Sequence, residues 1–117
     1  CSKENQSMAH KIINNSKRKY FIDCSNVNLL NVMAALKKSS FFVGNNAGPL
    51  NISAAMNIDS FGLIANDPIS ELKYSKIIPI TPDNYQDNVW YRNREGMKNL
   101  KVDKVYNFII SYVKNKK

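Results

Sequence analysis

The amino-acid sequence predicts an α/β domain, a Rossmann-like parallel sheet with flanking helices. Three observations predict it. Short runs rich in aromatic and β-branched residues alternate with stretches whose apolar residues recur at helical spacing. At one junction, Phe41–Val43 runs into Gly44, Asn45, Asn46, Ala47, Gly48 and then Pro49, reading as buried strand, glycine-bearing turn and helix start. The 117 residues, 44% of them apolar, suit one modest core, and no apolar run is long enough to span a bilayer.

Residues 3–15 place Met8, Ala9, Ile12 and Ile13 on one stripe of a helix that frays at Asn14–Ser16 into a basic loop, Lys17–Lys19. Tyr20–Ile22 has the composition of a short strand, ended by the turn and cap chemistry of Asp23–Asn26. Leu29, Leu30, Val32, Met33 and Leu36 then recur at helical spacing up to Lys37 and Lys38, cations suited to a helix C-terminus. Phe41–Val43 is the next strand and 48–57 the next helix, with Leu50, Ala54 and Ala55 as its packing face. Phe61–Ala65 is a further strand in which Gly62 marks a close approach. A loop with a short turn at Ser70–Tyr74 leads to Ile77–Ile80, a last strand that Pro79 confines to an edge. Residues 81–101 are polar and irregular. The final helix, about 102–114, is expected to bury Val102, Val105, Tyr106, Ile109 and Val113. Four strands are thus expected where a full domain of this kind has about six, so 1–117 reads as one incomplete domain whose first strands precede Cys1.

The net charge is +8, carried by 14 Lys and 3 Arg. Attraction to phosphates or an acidic membrane surface is one reading. The other is compositional: 17 Asn accompany the scattered lysines, and a nucleic-acid surface would use more Arg, so no nucleic-acid partner is expected. Cys1 and Cys24 make neither a disulfide framework nor a metal site, although both are expected at carboxyl ends of neighbouring strands. His10 is placed on the polar side of the first helix, with no partner arranged for a triad or a metal.

Ligands of open α/β sheets gather at the carboxyl ends of strands, which points to the turns 24–28, 44–51 and 65–68. In the second, the backbone N–H groups of Ala47 and Gly48 can receive a diphosphate, and Asn46 and Asn51 can add side-chain hydrogen bonds. A tight turn with no ligand is the alternative. In the first turn, Val27 and Asn28 are candidates for a nucleoside contact, against the plainer role of Asn28 as a helix cap. In the third, Asp67 before Pro68 is either a turn former or a carboxylate with chemistry to do. Asn88–Glu95 interleaves aromatics with two arginines, a combination that can grip a sugar, a base or a phosphate, or a loop that Trp90 pins in place.

The stretch Gly44, Asn45, Asn46, Ala47, Gly48, Pro49, Leu50, Asn51, Ser53, Ala54, Ala55 resembles the signature of glycosyltransferase family 9, the lipopolysaccharide heptosyltransferases. That signature runs Gly-Asn-Asp-(Ser/Thr)-Gly-Pro-x-His after a buried strand, and here Asn46, Ala47 and Asn51 stand where it has Asp, Ser/Thr and His. Ser60–Pro68, Ile77–Ile80 and Gly96-Met97 also fall in family order. The resemblance implies the C-terminal donor-binding domain of a two-domain GT-B glycosyltransferase, without its acceptor-binding N-terminal domain and with no catalytic residue in this fragment. The donor it implies is a nucleotide-diphosphate sugar such as ADP-heptose, used without cofactor or metal. Its acceptor would be a glycolipid or glycan bound through the missing domain, and the resemblance implies a cytoplasmic protein associated peripherally with the inner face of the bacterial inner membrane. Two other readings stay open: a binding or interaction module of the same fold that has lost transfer, and a dinucleotide oxidoreductase, which the missing Gly-x-Gly-x-x-Gly disfavours.

Overall fold

The structure is a computed structural model that describes residues 3–17, 20–87 and 95–116. The chain divides into two compact units, Cys1–Ala35 and Leu36–Lys117.

The first unit holds α1 (Lys3–Asn15) and α2 (Leu29–Lys37), the last residues of α2 passing into the second unit. Asn28 caps α2: its Oδ1 accepts the Asn31 N–H at 2.9 Å, one of the orphan donors of the first turn. Tyr20–Ile22 does not form the expected strand. A strand exists through its ladder, and this three-residue run has none, leaving Tyr20 95% and Ile22 91% exposed. Cys24, an exposed free thiol, therefore does not end a strand, and Cys1 lies outside the described residues.

The second unit holds a three-stranded parallel sheet in the order β1 (Phe42–Asn45), β2 (Ser60–Leu63), β3 (Ile77–Ile80). The sheet supports the coarse fold class read from the sequence, with three strands in place of four among the described residues. α3 (Gly48–Ala55) connects β1 to β2 and packs on one face through Leu50 and Ala54, which cluster with Ile64 and Ile77. Gly62 makes room for that packing. A Cβ there would stand 3.0 Å from Leu50 Cδ2 and 3.2 Å from Ile77 Cγ2. Ala55, expected on the packing face, is exposed; Ser53 is buried instead and meets the buried Ser60 hydroxyl at 2.7 Å, tying α3 to the start of β2.

α3 ends in a Schellman motif. Ile58 N–H donates to Ser53 O and Asn57 N–H to Ala54 O, with Asn57 in the left-handed region at φ 64°. No described glycine has positive φ, so the turn at 44–48 does not use its glycines for unusual backbone angles.

Side chains alternate across a strand, so Phe61 points to the opposite face. There its ring stacks edge-on with Phe41, Phe108 and Tyr112. The last two belong to α4 (Val102–Asn115), which follows a 3-10 turn at Glu95–Asn99. Val105, Ile109 and Val113 are half-buried, but Val102 is 81% and Tyr106 63% exposed. The expected burial of those two fails because the helix leans on the sheet through Phe108 and Tyr112, which turns the Val102–Tyr106 edge outward. β3 is an edge strand, as Pro79 required. The Lys76 and Ile80 carbonyls accept from the Ser60 and Ile64 amides, so positions 77 and 79 face the rim, and Pro79 omits its N–H on the side that no described strand occupies.

Candidate functional site

The parallel register brings Asn45 and Leu63 level at the carboxyl ends of β1 and β2. The turns that leave these ends, 46–48 and 64–68, therefore start side by side. Asn46 Nδ2 donates to Asp67 Oδ2 at 2.9 Å, which joins the two turns directly. The sequence names both residues but does not foresee the bond, since nothing in a one-dimensional pattern reports a side-chain contact across 21 positions.

Gly44 and Asn45 belong to β1, and Gly44 stands opposite Gly62. Ala47 is the N-cap of α3 in extended conformation and supplies no side-chain cap. Its carbonyl accepts the Leu50 N–H at 3.1 Å and the Asn51 Nδ2 at 3.2 Å. The Ala47 and Gly48 N–H groups meet no acceptor among the described residues. They are the leading orphan donors of the helix, and Pro49 adds none of its own. A Cβ at Gly48 would meet nothing within 4 Å, so the protein itself does not require glycine there. The arrangement offers donors, helix-dipole positive potential and open space at one corner. The two amides expected to help are already engaged: Asn46 holds Asp67, and Asn51 folds back onto its own helix.

The third turn is held from below by a residue the sequence reading passed over. Tyr85 packs its ring against the Leu50–Ala54–Ile64–Ile77 core and carries its hydroxyl to the turn. That hydroxyl lies 2.8 Å from Asp67 O and 3.0 Å from Asp87 Oδ1, and it accepts the Ile69 N–H at 2.8 Å. Ile69 N–H also reaches Asp87 Oδ1. Burial, with the Asp87 carboxylate adding to it, pushes the Tyr85 phenol above its ordinary range, so it stays protonated and able to donate. No sequence signal pointed here, because Tyr85 stands 17 positions beyond Pro68 in a stretch that reads as polar and irregular. Gly96 closes the same region: a Cβ there would fall 2.1 Å from Ala65 O, so only glycine fits.

Val27 and Asn28 lie in the first unit. Val27 is 39% exposed and the Asn28 side chain is occupied by its cap. His10, expected to be without a partner, has one: Nε2 lies 3.1 Å from Asp23 Oδ2, both partly exposed. Periodicity placed His10 correctly on a polar face but cannot bring in the loop that follows. Asn88–Arg94, including Trp90, lies outside the described residues. Two shallow grooves lie elsewhere. One of about 500 Å³ runs along α4 beside Phe108 and Tyr112, and one of about 330 Å³ in the first unit lies between Ile12, Ile13, Phe21 and Ile22. Among the described residues no group of His, Cys, Asp or Glu is arranged to hold a metal, and no helix is long and apolar enough to cross a membrane.

Comparison of the chain with protein-family models, with curated proteins and with solved structures finds no match.

Proposed function

We propose that the corner formed by Gly44–Asn51 receives the diphosphate of a nucleotide sugar, and that the chain is donor-side sequence of a heptosyltransferase-like GT-B glycosyltransferase. The observation that carries this reading is the pair of N–H groups, Ala47 and Gly48, that meet no acceptor among the described residues, at the carboxyl end of a parallel strand with open space above Gly48. In such a role these residues orient the donor and stabilise the departing diphosphate through backbone donors. No acid or base chemistry is assigned to them. The acceptor, a glycolipid or glycan, is bound by other sequence, and the work is done on the cytoplasmic side of a membrane.

A second reading is favoured by one observation. Asn46 and Asn51 spend their amides inside the protein, as in a module that binds a nucleotide or a partner without transferring sugar. Isothermal titration of the folded chain with ADP, UDP and GDP, and then with ADP-glucose, UDP-glucose and GDP-mannose, tests both. Binding of a diphosphate with further gain from its sugar supports the donor site. Binding of the diphosphate alone supports the module, and silence with every compound defeats both.

Gly48→Ala sharpens the test. The structure has room for the methyl group, so the melting temperature should hold within a degree or two. A diphosphate drawn up to the amide would lose affinity about tenfold.

A further inference from the structure

We infer that Tyr85 is a positioning residue for the corner: it fixes Asp67, and Asp67 fixes Asn46, the residue directly before the two unspent N–H groups. The inference rests on the diphosphate reading for its functional meaning and on the hydrogen bonds for its mechanics.

Three links run in series from the core to the corner. The Tyr85 ring is seated against Leu50, Ala54, Ile64 and Ile77. Its hydroxyl engages the Asp67 carbonyl at 2.8 Å and the Ile69 N–H at 2.8 Å, which holds the peptide units on either side of Pro68. The Asp67 carboxylate then accepts the Asn46 amide at 2.9 Å. Ala47 offers no side-chain cap, so the Asn46–Asp67 bond adds a hold from outside the helix to the one that Leu50 and Asn51 place on the Ala47 carbonyl. Removing the Tyr85 hydroxyl leaves Ile69 N–H with Asp87 Oδ1 and leaves the ring in place, so the turn stays folded. Asp87 loses the hydroxyl but keeps Ile69 N–H, whereas the Asp67 carbonyl is freed, and with it the aim of the carboxylate. A residue 37 positions from Gly48 thereby acts on the donors, without touching the ligand.

The experiment is a double-mutant cycle on the full chain, read by titration with whichever of ADP, UDP or GDP the unmodified protein binds, and by the side-chain amide resonances of Asn46. Tyr85→Phe should weaken the diphosphate three- to tenfold, Asp67→Ala at least as much, and the double variant no more than Asp67→Ala alone. Without any ligand, the Asn46 amide resonances should move in Tyr85→Phe toward their positions in Asp67→Ala. An unchanged affinity in Tyr85→Phe, or factors that multiply in the double variant, overturns the relay. If no diphosphate binds the unmodified chain, the diphosphate reading falls. The Asn46 resonance then decides the relay alone, and its staying put in Tyr85→Phe refutes it. Should Tyr85→Phe not fold, 3-fluorotyrosine at position 85 keeps the shape. Ionising it by raising the pH should move the Asn46 resonance, and no movement counts against the relay.

Discussion

Asn46 shows how one atom decides what a position can do. Its Nδ2 donates to the Asp67 carboxylate, a bond an aspartate could make only by taking up a proton. Asn46→Asp would set two carboxylates against each other, and one of them would be forced to a raised pKa. The sign follows. The penalty is present at neutral pH, where the unfolded chain ionises both groups freely, and is relieved as acid protonates the raised one. Asn46→Asp should therefore cost about 1–2 kcal/mol at pH 7 and distinctly less near pH 4, read by urea denaturation at the two values. The position was legible in the sequence as part of the glycine-bearing turn. Its bond was not, because the partner sits in a different turn and only the parallel register makes them neighbours. Two further contacts were hidden for other reasons: Asn51 folds back on Ala47 O one helical turn away, and His10 meets Asp23 in the loop that follows its helix.

At the scale of elements, the apolar runs located β1, β2 and β3 to within a residue or two, and the sequence pattern located the four α-helices of the described residues. These are patterns that burial itself enforces, so they survive in one dimension. Tyr20–Ile22 satisfied the same pattern and formed no strand, because composition cannot supply a neighbouring ladder. The join between α3 and β2 was also hidden. Its left-handed residue is Asn57, not a glycine, and φ 64° carries the strain. Asn57→Ala should cost about 1 kcal/mol, whereas Asn57→Gly should be neutral or mildly stabilising, both measured as shifts in denaturant midpoint. Gly62→Ala presses a methyl group on Leu50 and Ile77, and should cost about 1–3 kcal/mol by the same measurement.

For the second unit as a whole, Asp59 is the tie between α4 and the amino ends of β2 and β3. It accepts from Lys116 and Tyr112 of the terminal segment, and from Lys76 ahead of β3 at 3.0 Å. Lys116, then Lys76, hold its carboxyl down to about 2 from an ordinary 3.8. A depressed carboxylate contributes stability that is complete above about pH 4 and is lost as the pH falls toward 2. The lysines are partly exposed, so the effect is modest and screened by salt. Asp59→Asn should lower the melting temperature by a few degrees at pH 7 and flatten its fall between pH 4 and pH 2, followed by circular dichroism. Tyr112 fluorescence should report the release of α4 in the same interval.

The rim of β3 has a consequence for how the molecule behaves in a crowd. Pro79 presents a ring where an incoming strand would seek a donor, so stacking of one copy on another cannot propagate through that side. Pro79→Val would restore the missing hydrogen and, beside Ile78, create an adhesive border. Light scattering of that variant should climb with concentration and time while the unmodified chain stays clear.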